Sequence, residues 1–180
     1  NEARVADILA ASPRHLDALR ILALAGPPGA WIGAGFVRSA VWDALSGRRP
    51  DLGALSDLDV VHYATGDALT DARHEFALRA ARPLPWSVRD QSRMAIRNGH
   101  APYRDLADAV AHWPETATAV ALRIARDRIE LLTPYSCDDL VNFAVRPTPA
   151  HAADPRAVRA RLAAKGWLTR WPKLRILIPD

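Results

Sequence analysis

Asp57 and Asp59 stand two residues apart in Ser56-Asp57-Leu58-Asp59-Val60-Val61, inside an apolar run. In an extended segment residues i and i+2 share a face, so both carboxylates aim at one spot. Anions that close repel, and one takes up a proton unless a hard divalent cation such as Mg²⁺ or Mn²⁺ keeps both ionised. Paired carboxylates around such an ion do metal-assisted phosphoryl transfer. A plainer reading of the same pair is a solvent-facing strand edge or an Asx turn before a strand.

A phosphate-accepting bend lies upstream, in Trp31-Ile32-Gly33-Ala34-Gly35-Phe36-Val37-Arg38. A strand around 30–32, a turn at Gly33, Ala34 and Gly35 and a helix over 36–45 would aim free N–H groups and a positive dipole at a phosphate. A glycine turn alone also serves close packing. Arg38 has two readings, a phosphate contact or a structural ion pair. Arg89, Arg93 and Arg97 recur every four residues, so a helix there makes a basic stripe for a triphosphate or acceptor, or a solvated face. Trp113 with Thr116 and Thr118 reads as a base pocket or as core. His62 reads as a site neighbour or as a packed histidine. No Walker A loop, Gly-x-Ser-x-Gly or Cys/His nucleophile arrangement occurs.

These residues need a folded scaffold, and 180 residues with 49% hydrophobic and 24% charged content can build one. The net charge is +4 and nearly all the basic residues are arginine, Lys165 and Lys173 being the only lysines. That surplus suits a nucleotide or RNA partner and equally a GC-rich coding bias. Cys137 is alone, which excludes an intrachain disulfide and points to a reducing cytoplasm. No apolar run approaches a bilayer span and no signal pattern opens the chain, so a membrane partner is not expected.

Periodicity predicts a single α/β (α+β) domain over 1–180, a mixed sheet flanked by helices. Residues 1–25 form a helical pair broken at Ser12-Pro13, an N-terminal extension. Beyond the turn helix the pattern gives the acidic strand, a helix over 67–82, a strand at 86–88 and a helix over 103–112. A hairpin follows over 118–124 and 128–132, turned at Arg126-Asp127. Residues 150–180 form a C-terminal extension with an arginine-studded helix over 154–165 and a strand-like run over 174–178. Asp138 and Asp139 read as caps of a helix through Leu140 to Phe143.

Gly33-Ala34-Gly35-Phe36-Val37-Arg38, then Leu45-Ser46-Gly47, then Asp57-Leu58-Asp59 resembles the polymerase-β-like nucleotidyltransferase superfamily, and locally its heads of the tRNA CCA-adding type. Ala34 stands where those heads carry the first glycine of a pair, and Ser39 where they carry an acid. Over residues 30–172 the chain is similar to a bacterial nucleotidyltransferase-like family of about this size. That resemblance also rests on Trp86-Ser87-Val88-Arg89-Asp90, Trp113-Pro114-Glu115-Thr116, Asp138-Asp139-Leu140, Val145-Arg146-Pro147-Thr148 and Lys165-Gly166-Trp167. It implies a nucleotidyltransferase-type fold and transfer of an NMP group from an NTP to an acceptor, a small molecule, RNA or protein. It further implies Mg²⁺ or Mn²⁺ on Asp57 and Asp59, and phosphates on Gly33, Ala34, Gly35 and Arg38. A third carboxylate from a neighbouring strand is usual in the superfamily. Glu130 is the candidate, with Glu115, Asp138 and Asp139 as rivals and an exposed hairpin residue as the plainer reading. The alternative to an enzyme is a catalytically inactive nucleotide- or RNA-binding module of the same fold.

Overall fold

Proline at the first turn of a helix loses no needed N–H, and Pro13 accordingly opens the second of two N-terminal helices, α1 (Glu2–Ala10) and α2 (Pro13–Ala25). The computed structural model describes residues 1–64 and 66–178. β1 (Trp31–Gly33) leads through Ala34 into α3 (Gly35–Leu45). β2 (Leu58–His62), α4 (Ala68–Ala81) and β3 (Trp86–Asp90) form a β–α–β unit, its strands parallel.

Residues 91–97, where the sequence gives no clear assignment, hold a 3-10 turn (Gln91–Arg93) and the short α5 (Met94–Arg97). Arg89 is therefore in a strand and Arg93 in the turn, so the three arginines do not form a helical stripe. α6 is confined to Leu106–Ala111 because Asp105 caps it, accepting the Asp108 N–H. β4 (Ala121–Ala125) and β5 (Arg128–Leu132) make the expected hairpin, with Arg126 and Asp127 both at positive φ as a two-residue turn requires. The chain ends in α7 (Asp138–Val141), β6 (Ala144–Val145), α8 (Pro155–Lys165), α9 (Trp167–Arg170) and β7 (Arg175–Ile176). Cys137, not Asp138 or Asp139, occupies the N-cap of α7; the two acids sit in its first turn, where they complement the helix dipole.

Among the described residues five strands form one mixed sheet in the order β3-β2-β1-β4-β5, and β6 and β7 pair separately. Strand alternation gives the large sheet two distinct faces. Leu58, Val60 and His62 of β2 point toward α4, where His62 meets Asp71. Asp59 points to the opposite face, on the row that register extends through Gly33 to Ala121.

The main core cluster of the described residues runs from Val5 to Ile178, fed by both ends of the chain, and a small second cluster gathers Ala95, Tyr103 and Ala109. α3 lies inside it, every residue from Phe36 to Asp43 being buried. Asp43 is satisfied there from the C-terminal segment: Arg170 donates at 2.7 Å and the Trp171 indole N–H at 2.9 Å. Trp42 stacks edge-on with Trp167 and Trp171. Residues 150–178 are thus stapled onto the helix that follows the glycine turn. Among the described residues no helix is long and apolar enough to cross a membrane.

Candidate functional site

β2 begins at Leu58, so Asp57 is the residue before the strand and Asp59 the first acid within it. Asp57 is exposed and accepts a hydrogen bond from Ser56 Oγ at 2.9 Å; Asp59 is half-buried. Both line a cleft of about 440 Å³. Burial pushes the Asp59 pKa up to about 6 and the like charge of Asp57 adds to it, against the pull of Arg38, Arg161 and Lys165. Among the described residues neither carboxylate has a cationic partner within 4.0 Å. Two hard oxygen donors without a direct ion-pair partner fit Mg²⁺ or Mn²⁺, which complete their shells with water and phosphate oxygens. No group of three or more His, Cys, Asp or Glu side chains is placed to hold a metal among the described residues.

The glycine turn forms the adjoining wall. Gly33 is required by close approach: a Cβ there would meet the Val120 carbonyl oxygen at 2.7 Å and the Trp113 ring at 2.8 Å. Ala34 donates its N–H to that same carbonyl at 3.1 Å and takes φ 51°, ψ −120°. An L-residue rarely adopts that conformation, and the strain is about 1–3 kcal/mol. Alanine therefore stands where the backbone favours glycine. The turn delivers the first N–H groups of α3, which have no intrahelical acceptor, to the cleft.

Arg38 occupies the next turn of α3 and is only 6% exposed. Its guanidinium lies 4.0 Å from the Trp167 ring centre, and Nη1 donates to Thr118 Oγ1 at 2.9 Å. Nε is buried without a hydrogen-bond partner. Burial pulls the Arg38 pKa down to about 10, and the field of buried Glu115 resists this. The opposite wall comes from the C-terminal extension: Arg161, Lys165, Trp167, Arg170 and Trp171. The sequence marks Lys165-Gly166-Trp167 as a motif but gives none of these residues a site role; the available signal is Arg161 and Lys165 at i,i+4 on a helix.

Among the described residues five cationic side chains line the cleft: Arg38, Arg89, Arg161, Lys165 and Arg170. Three reach carboxylates outside it, Arg161 to Glu115 at 2.8 Å, Arg170 to Asp43 at 2.7 Å and Arg89 to Glu75 at 3.7 Å. Arg38 and Lys165 have no carboxylate within 4.0 Å among the described residues. One cleft thus holds two acids and two bases that do not neutralise one another.

Glu130 is not brought to the pair. It shares the sheet face of Asp59 but sits on the far edge strand, three strand spacings away, about 14 Å. Its carboxylate is held by Arg123 at 2.7 Å, and that guanidinium in turn covers the Trp31 ring. The rivals are also engaged elsewhere: Glu115 on Arg161, Asp139 on Arg146 and Thr116, and Asp138 on the Asn1 side chain. Trp113 and Thr118 line the cleft, whereas Thr116 does not. His62 lies on the other sheet face, and Arg93 is taken up by Asp71, Asp90 and the Gly66 carbonyl.

The nucleotidyltransferase family profile matches residues 20–176. The chain is similar to a solved structure described as revealing a CCA-adding enzyme head domain: 29% identity, TM-score 0.85, 99% of this chain and 97% of the other covered. A CCA-adding enzyme in complex with ATP shares the fold at 19% identity and TM-score 0.61, over 98% of this chain and 43% of that enzyme. The Thermotoga maritima CCA-adding enzyme complexed with tRNA does so at 19% identity and TM-score 0.58, over 96% and 42%. The chain thus spans about two fifths of those two enzymes. No curated protein matches it.

Proposed function

We propose that this chain, which belongs to the nucleotidyltransferase family, transfers an NMP group from an NTP to an acceptor, releasing pyrophosphate, with Asp57 and Asp59 as the metal-holding acids. The observation that carries the reading is the charge pattern of the cleft. Its two unneutralised carboxylates want a cation and its two unneutralised bases want an anion, and a divalent ion with a polyphosphate supplies both. Mg²⁺ or Mn²⁺ on Asp57 and Asp59 would screen phosphate charge and lower the pKa of an acceptor hydroxyl.

The rest falls to the chain's own groups. The N-terminal N–H groups of α3 orient the phosphates beside Gly33, Ala34 and Gly35. Arg38, fixed by Trp167 and Thr118, adds positive potential beneath them. Apolar walls at Trp113 and Trp167 exclude water. The acceptor is a small molecule, RNA or protein of the cytoplasm. CCA-adding enzymes solved with ATP and with CTP make an NTP the donor to test first.

The remote position of Glu130 favours one rival, a module that binds nucleotide or RNA without chemistry, because it leaves two acids in the cleft among the described residues where three are usual. Incubation with each labelled NTP, Mg²⁺ or Mn²⁺ and cell extract separates the two. Label appearing on an acceptor with the native chain and not with Asp59→Ala is the expected result. NTP binding by the native chain without transfer to anything in the extract would leave the rival standing.

A further inference from the structure

The motif Lys165-Gly166-Trp167 closes α8 and opens α9, and the acid pair and glycine turn give it no task. Its three residues divide one job. Gly166 is in the left-handed conformation, φ 61°, which ends α8 and redirects the chain at once. Trp167 then buries under Arg38, at 4.0 Å from its guanidinium, and edge-on to Trp42 of α3. That anchor ties the end of α8 to the helix carrying the phosphate turn, so Lys165 is delivered to the cleft rim. Lys165 is exposed and lines the same cleft as Asp57 and Asp59. It has no carboxylate of its own within 4.0 Å among the described residues, whereas Arg161, one helical turn back, is spent on buried Glu115.

Resting on the proposed function, we infer that Lys165 is a phosphate-binding residue, and that the C-terminal α8–α9 corner is a working wall of the nucleotide site. Its ammonium would meet the polyphosphate of the NTP as a mobile point charge, while Arg38, buried and stacked, acts as a positioning residue below. Such a contact reads phosphates and not bases, so it serves all four NTPs equally.

The test is a titration of inorganic tripolyphosphate and of each NTP, with Mg²⁺, into the native chain, Lys165→Ala and Lys165→Arg, read by calorimetry or emission of the cleft tryptophans. Loss of one charge-assisted contact should weaken tripolyphosphate binding about tenfold or more in Lys165→Ala. The same factor should appear for every NTP, Lys165→Arg should recover most of it, and the melting temperature should stay put. A lysine that merely complements the helix dipole would shift melting and leave phosphate affinity alone. Undiminished tripolyphosphate binding by Lys165→Ala, in a protein whose native form binds it, overturns this inference and leaves the transfer reaction intact. A native chain that binds neither tripolyphosphate nor any NTP overturns both.

Discussion

Two clusters of charged side chains lie back to back across β2 and β3, and they differ in whether their charges are answered. On the α4 side, Asp71 accepts from the Asp90 N–H at 3.0 Å and from Arg93, and faces His62 Nε2 at 2.9 Å. Asp90 accepts from the N–H groups of Ala64 and Ser92 and from Arg93. Burial would raise the Asp90 pKa, yet those hydrogen bonds hold it below the usual value. On the cleft side the acid between the same strands, Asp59, goes the other way, to about 6. A carboxylate whose fold supplies every partner is a structural part. One that the fold leaves without a partner is, on the proposed function, the one that takes a cation from solution.

The difference is breakable by exchanging what each cluster loses. Asp59→Asn or Asp57→Asn should cut turnover by about 10³-fold or more while the protein still folds, as expected when a group stabilising transition-state charge is lost. Asp71→Ala should do the opposite. It leaves buried His62 and the Asp90 N–H without their acceptor, while Arg93 keeps Asp90, and an unsatisfied buried polar group costs about 1–3 kcal/mol. Chemical denaturation should register that loss, with activity per folded molecule nearly unchanged. If Asp71→Ala abolished transfer at full stability, the division between the clusters would be wrong.

How far each cluster could be read in the sequence follows from the range of its contacts. The acid pair and the turn are local: Asp57 and Asp59 are two residues apart, and Gly33 to Arg38 are contiguous, so period and propensity place them. The β4–β5 hairpin is legible for the same reason, through its Arg126-Asp127 turn. The cationic wall is not, because Arg161 and Lys165 reach the cleft through Asp43, Trp42 and Trp167, contacts spanning more than a hundred residues. The arginine stripe fails through a local assignment: β3 runs on to Asp90, so Arg89 and Arg93 belong to different elements. Glu130 fails through topology, since the order β3-β2-β1-β4-β5 puts its strand at the far edge from Asp59, which no single strand pattern reveals.

The raised pKa of Asp59 also has a sign in stability. Its folded pKa, about 6, lies above the unfolded value of about 3.9, so the folded state holds the proton more tightly. The resulting stabilisation is complete below about pH 4 and disappears as pH rises through 6. In metal-free buffer at pH 7.5, Asp59→Asn should therefore be more stable than the native chain by about 1–3 kcal/mol, with the gap closed at pH 4. Mg²⁺ or Mn²⁺ should raise the native melting temperature at pH 7.5 and not that of the variant, and the metal's grip should slacken below pH 6. A pH-independent gap would mean that Asp59 already has its partner inside the fold.

The smallest effect belongs to Glu130, and it sharpens the comparison most. Its pair with Arg123 is half in solvent, the side chains being 42% and 32% exposed. Such pairs contribute about 0.2–1 kcal/mol, so Glu130→Gln should move the denaturation midpoint little. Turnover should also hold, because a carboxylate three strand spacings, about 14 Å, across the sheet and two residues further along it cannot share an ion with Asp59. A drop in turnover comparable to that of Asp59→Asn would require the hairpin to bring Glu130 to the cleft in the working state. Edge strand β5 would then have to leave its register with β4, which hydrogen exchange of the Glu130 and Leu132 amides, the ones directed at β4, on adding NTP and Mg²⁺ would detect.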